Sequence, residues 1–417
     1  MAGRARREAE REGHHGRRLN TARPGLAFVG QYAVVTVKRL LPALLASAIV
    51  IGCSPTTTTP DASASASAAT KPAINEQTRG EIQALLQRQH DTMATQDNKS
   101  FIATIDPERL ALKRCGNESY DIASRQGVGN VGQVGKIEAY LDTYVRAYVQ
   151  EGSTGMRRLF FRKGADGKWV QTEPKDDELG GEKKTTVEDI QIDYWGIDQD
   201  VIDALGKGTV AAKKVVLDNL LSAQRRDPLA IRFYPTRSVS GIQGCTVVGF
   251  HLTNVASDPY VRFFRYWFDA NGTISPATIT FMSHEWLHWA QDQFSPGITA
   301  RLPWWAVEGW PDYVGQSRSD ETKKFVICQT QTPTLKQLED GADPNGPPEL
   351  SPQYYAFANT MVEYLYATYG GIDAYRKLAL GFKEDAVPAN VFPKVLNITS
   401  AQFYEGWKAA AKKKYCG

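Results

Sequence analysis

Two histidines four residues apart, with a glutamate directly after the first, constrain this chain more than any other feature. They lie in Met282–Ser283–His284–Glu285–Trp286–Leu287–His288–Trp289. On a helix, residues i and i+4 share a face, so the two imidazoles can close on one metal ion. Glu285 sits one position along, where its carboxylate can act as general base toward a metal-activated water. Nineteen residues separate His288 from Glu308, which lies in the run Trp304–Trp305–Ala306–Val307–Glu308–Gly309, enough for a loop and a return helix carrying a third ligand.

The surroundings strengthen this reading. Ser275 is placed to cap a helix whose first residue is Pro276. Phe281, His284, Leu287, His288 and Gln291 recur at helical spacing on one expected core face. Asp312 follows Glu308 by one helical turn, where it can accept the remaining N–H of a ligating histidine. The plainer alternative is a pair of core histidines beside surface acids. It would leave Glu285 and Glu308 on aromatic, apolar faces, where a charge without a metal is costly to bury.

The run from His284 to Gly315 resembles the gluzincin group of zinc metallopeptidases, the peptidase MA-like domains. Their H-E-x-x-H is followed by Pro-x-Trp-x-x-Glu-Gly-x-x-x-Tyr, matched here by Pro303, Trp305, Glu308, Gly309 and Tyr313. The resemblance implies zinc ligands His284, His288 and Glu308, catalytic Glu285, and Asp312 supporting a ligand, most directly His284. It continues through Tyr354–Tyr355–Ala356–Phe357–Ala358 and Glu363–Tyr364–Leu365 to Tyr369–Gly370, and implies Tyr355 as an oxyanion donor with Tyr354 in reserve. The other reading of either tyrosine is helix packing. The similarity covers residues 185–417, with its strong motifs over 284–370. The Gly-x-Met-Glu-Asn loop that holds a substrate's free amine in related aminopeptidases is missing, so exopeptidase action is not supported.

The net charge of +3 is carried by the N-terminus: residues 1–39 hold nine Lys/Arg against three Asp/Glu, leaving 40 basic and 43 acidic residues elsewhere. With no basic stripe interleaved with aromatics, nucleic acid is not an expected partner. Lys38–Arg39, then an apolar stretch and Val50–Ile51–Gly52–Cys53, describe an export signal too short for a membrane span. The last four residues resemble a bacterial lipobox, which implies lipidation at Cys53 and an extracytoplasmic, membrane-tethered protein of the cell envelope. An ordinary signal peptide with secretion, or a bitopic anchor, are the alternatives. Residues 1–34 are long and charged for a signal, so a true start near residues 35–37 is expected. An even set of four cysteines remains, Cys115, Cys245, Cys328 and Cys416. In an exported protein this suggests two disulfides of three possible connectivities. Cys328–Cys416 with Cys115–Cys245 is preferred, because the first pair would tie the C-terminus to the catalytic unit.

Four segments follow: 1–53 as signal and lipobox, 54–73 as a low-complexity tether, 74–180 as an α+β accessory domain, and 185–417 as the zincin-like domain. In the accessory domain we expect an amphipathic helix from about Ile74 and a second over Ile137–Tyr148. A hairpin over Arg157–Thr172 turns at Ala165–Lys168. Its Arg157–Trp169 stretch is similar to nuclear transport factor 2-like cone domains. Neither His90 nor His251 has partners that would make it a ligand. Strands are expected at Val187–Tyr194, Leu229–Tyr234, Cys245–Leu252 and Tyr260–Phe268, with a helix over about Asp198–Leu221. The last strand is expected either as core or as an edge for an extended substrate. Helices are expected over Pro303–Gly315, Gln353–Tyr369, Ile372–Phe382 and Ala401–Lys414. The fold class is therefore α+β: a cone-like unit, then a small sheet, the active-site helix and a helical C-terminal half.

The activity expected is zinc-dependent hydrolysis of peptide bonds in a peptide or protein substrate. Two rivals stand beside it: a non-catalytic envelope lipoprotein that binds a ligand, and a zinc amidase acting on a cell-wall peptide.

Overall fold

The computed structural model describes residue 72 and residues 74–126, 128–151, 155–221, 229–236, 249–251, 260–265, 274–341 and 352–417. The expected signal, Cys53, all but residue 72 of the expected tether, and Cys245 lie outside the described residues.

The chain is mixed α+β. Helices α1 (Glu76–Ala94), α2 (Asn98–Ile102) and α3 (Leu110–Gln126) precede four strands, β1 (Gln133–Tyr140), β2 (Tyr144–Glu151), β3 (Gly155–Lys163) and β4 (Trp169–Thr172). These strands form an antiparallel sheet in sequential order. Asn75 starts α1 by accepting the Thr78 N–H. Ile82 and Leu85 of that helix pack on Val145, Ala147, Val149 and Phe161 of the sheet.

The helix expected over Ile137–Tyr148 is instead the β1–β2 hairpin. Val145, Ala147 and Val149 face one core, while Tyr144, on the opposite parity, enters another. A strand buried on both faces mimics helical spacing, and the turn is set by Leu141 at φ 52°. The β3–β4 hairpin forms where expected, with Gly167 at positive φ.

The second sheet contains β5 (Glu182–Val187), β6 (Ile190–Trp195), β7 (Ala230–Tyr234), β8 (Gly249–His251) and β9 (Tyr260–Phe264), in the order β5-β6-β7-β9-β8. The single strand expected at Val187–Tyr194 is two strands that reverse at Glu188, whose φ is 53°. β6, β7 and β9 are parallel, with β5 and β8 antiparallel at the two sides. The aromatic strand β9 is therefore interior and not an edge: β7 pairs on one side of it and β8 on the other. Helix α4 (Ile202–Asp218) crosses between β6 and β7.

The remaining described elements are helical: α5 (Pro276–Phe294), α6 (Trp304–Val314), α7 (Asp320–Gln329), α8 (Leu335–Asp340), α9 (Pro352–Tyr369), α10 (Ile372–Glu384), α11 (Pro388–Leu396) and α12 (Ser400–Cys416). One continuous core joins this helical half to the second sheet. Cys328 of α7 and Cys416 of α12 form a disulfide, the preferred pairing. Cys115 is also disulfide-bonded.

The two sheets meet through Tyr144, Phe160, Leu179, Trp195, Ile197 and Tyr234. Beside that contact Arg158 bonds Asp198 at 2.8 Å, and Arg265 reaches Asp198 at 3.1 Å and Asp200 at 2.6 Å. Each buried charge there has a counter-charge, which buried ions require.

Candidate metal centre

Helix α5 begins as its sequence dictates: Ser275 caps it by accepting the Thr278 N–H at 3.2 Å, and Pro276 takes the first position. Its central residues, Phe281 to Gln291, are all buried, so this helix runs through the core with both histidines enclosed. Helix α6 returns alongside and places Glu308, fully buried, against them.

His284 Nε2 and His288 Nε2 are 3.2 Å apart, and each is 3.4 Å from Glu308 Oε2. A four-coordinate ion with bonds of about 2.0–2.1 Å needs neighbouring ligand atoms about 3.3 Å apart. The three atoms therefore form one face of such a tetrahedron. Apart from these two imidazole contacts, neither Glu308 carboxylate oxygen has a hydrogen-bond partner. A buried carboxylate needs a counter-charge, which a cation held jointly with the two imidazoles would supply. His284, His288 and Glu308 together could hold a metal ion.

The three groups are coupled through their charges. Burial works against a charged His288, but the adjacent Glu308 outweighs it and lifts the imidazole to about 9. Burial pushes Glu308 upward, and the two imidazoles overcome that, holding it at about 2. The carboxylate is thus ionised at neutral pH, a negative charge directed at the histidine nitrogens.

Three groups surround the cluster. Glu285, 4% exposed, is close enough to act on both His288 and Tyr355 electrostatically. Tyr355 of α9 is buried, its ring centroid 6.4 Å from that of His284. Burial, then the charges of Glu308 and Glu285, push its hydroxyl well above the ordinary range. Trp304 packs edge-on against both tyrosines, 5.2 Å from Tyr355 and 6.3 Å from Tyr354 between centroids. Asp312, fully buried one turn beyond Glu308, brings Oδ1 to 4.0 Å from His284 Nδ1.

Sequence reasoning missed the residues behind these. Arg318 Nε and Asn359 Nδ2 donate to Asp312 Oδ2 at 3.2 and 3.0 Å. Nothing in the local pattern announces Arg318, six residues on in the turn after α6, and Asn359 lies 47 residues away on α9. Gln291, noted only as a core-face residue, contacts His288 Nδ1 at 2.9 Å. Its position three residues after His288 was the available signal. His90 lies far from this constellation, its Nε2 against the Gly129 carbonyl.

A scan against protein-family models finds no match, and no curated protein matches the chain. Among the described residues, no helix is long and apolar enough to cross a membrane.

Proposed function

We propose that this chain is an exported zinc peptidase of the gluzincin kind, tethered to a membrane by lipid on Cys53. The observation that carries the reading is the near-tetrahedral spacing of His284, His288 and Glu308, with Glu285 buried beside them. Two imidazoles and one carboxylate suit zinc, and three protein ligands leave a position open for chemistry. When bound, zinc supplies Lewis acidity that polarises water and a substrate carbonyl.

The chain's own residues would do the rest. Glu285 takes the proton from the attacking water and delivers it to the departing amine. Tyr355 stays protonated, because burial holds its hydroxyl above the working pH range. It can therefore donate a hydrogen bond to the oxygen on which negative charge develops. Asp312 steadies His284, and Arg318 and Asn359 steady Asp312. The unit built on β1–β4, joined to the second sheet by the Arg158–Asp198 ion pair, serves as an accessory or positioning module.

The test is zinc analysis of the purified protein and of His288→Ala, with a peptide-library digest in the presence and absence of chelator. The reading expects one zinc in the wild type, little in the variant, and cleavage abolished by chelation. Stoichiometric zinc in His288→Ala, or digestion indifferent to chelator, would sink it. Fatty-acid labelling that marks Cys53→Ser as strongly as the wild type would remove the lipid tether.

A further inference from the structure

The buried polar chain behind His288 runs in one direction only. Helix α6 contains Pro311, which has no N–H and so cannot bond the carbonyl of Val307 four residues earlier. Gln291 Nε2 takes up that carbonyl at 3.0 Å and also donates to the Tyr375 hydroxyl at 2.7 Å. Tyr375 passes its single proton to the Ala306 carbonyl at 2.9 Å.

A carbonyl can only accept, so the amide nitrogen of Gln291 must face Val307, and its oxygen must face His288. That oxygen lies 2.9 Å from His288 Nδ1 and can only accept as well. Nδ1 therefore carries the proton of the neutral ring, and Nε2, which faces His284 and Glu308, carries the lone pair. Gln291 and Tyr375 are fully buried, and Tyr375 stacks on Trp310 at 5.1 Å, so this run of hydrogen bonds is shielded from bulk solvent.

We propose that Gln291 is a positioning residue that locks His288 as the Nδ1–H tautomer, with Pro311 freeing the carbonyl that orients it. The inference rests on the reading that His284, His288 and Glu308 hold a metal. It adds that the helix carrying Glu308 also sets the orientation of a second ligand, through its own Val307 and Ala306 carbonyls.

The experiment uses the full chain and two variants, Gln291→Leu and Tyr375→Phe. Nitrogen-15 NMR of the metal-free protein, recorded where the His288 ring is neutral, reads the tautomer. Competition with a chelator reads zinc affinity. The wild type should show the proton on Nδ1. Gln291→Leu should give mixed tautomers and about 10–100-fold weaker zinc binding, the usual effect of losing such a partner. Tyr375→Phe loses a buried hydrogen bond but keeps Gln291 on Val307, so it should hold the tautomer and weaken zinc only a few-fold. A wild-type proton on Nε2, or Gln291→Leu with unchanged tautomer and affinity, overturns the proposal. So does a loss of affinity in both variants that merely follows their loss of stability. If the wild type binds no zinc, the peptidase reading fails, and the NMR measurement still decides the role of Gln291.

Discussion

Asp312 divides its carboxylate between two tasks: Oδ1 faces His284 Nδ1 at 4.0 Å, while Oδ2 is gripped by Arg318 and Asn359. The contact with His284 is too long for a hydrogen bond and acts through charge. In Asp312→Asn the charge disappears and an amide donor must face either Arg318 and Asn359 or His284. Zinc binding should weaken about 10–100-fold with the fold retained, as measured by chelator competition and circular dichroism. Unchanged zinc affinity would return Asp312 to a purely structural role.

Such a link shows where sequence reading stops. The start of α5 was legible because Ser275 and Pro276 act on their immediate neighbours. Helical periodicity likewise placed His284, His288, Glu308 and Asp312 correctly on their helices, since i and i+4 share a face. The β1–β2 hairpin was not legible: Tyr144 and Val145 are both buried, on opposite faces, so alternation never appears as polarity. Asn359 could not be found either, because only the packing of α9 on α6 brings it to Asp312, and Arg318 reaches back from the turn after α6, six residues on, where no helical spacing points to it.

Glu285→Gln separates the proposed base from the candidate metal site. The substitution keeps size and shape, and Glu285 is not among the three residues that could hold a metal ion. Zinc content and thermal midpoint should stay near wild type, while turnover falls by about two to four orders of magnitude, the usual worth of a general base. Wild-type turnover in this variant would require a different base.

Acid stability has an identifiable contributor in the N-terminal unit. Burial works against an ionised Asp106. Bonds from Arg162 at 2.6 and 2.8 Å, from Thr172 at 2.5 Å and from the Glu108 N–H at 3.0 Å outweigh it and hold the carboxyl below its ordinary value. A depressed carboxyl stabilises the fold fully above its unfolded value of about 3.9, and that contribution is lost as pH falls through the folded value. At pH 7 Asp106→Asn should be less stable by about 2 kcal/mol, the scale of hydrogen bonds to a charged group. The gap between wild type and variant should close as pH drops below about 4. A gap that stays constant with pH in denaturant titrations would show that Asp106 contributes no linked proton.

Gly309 tests whether the approach of α6 to α9 sets the position of Glu308. A Cβ at Gly309 would lie 2.4 Å from the Ala358 carbonyl oxygen, 2.6 Å from its carbon and 3.1 Å from Val362 Cγ2. The first two are backbone atoms within α9 and cannot swing aside as a side-chain end would. Gly309→Ala must therefore push α6 away, and Glu308, the preceding residue, moves with it. Overpacking of this kind costs about 1–3 kcal/mol. A shift of even a few tenths of an ångström would also spoil the 3.4 Å spacings of Glu308 to the two imidazoles. Both stability and zinc affinity should fall. Gly80 in α1 provides the contrast, because a Cβ there meets nothing within 4 Å. Gly80→Ala should raise stability by up to about 1 kcal/mol through helix propensity and leave zinc affinity untouched. If Gly309→Ala bound zinc as tightly as Gly80→Ala, the packing of α6 on α9 would not be what places Glu308.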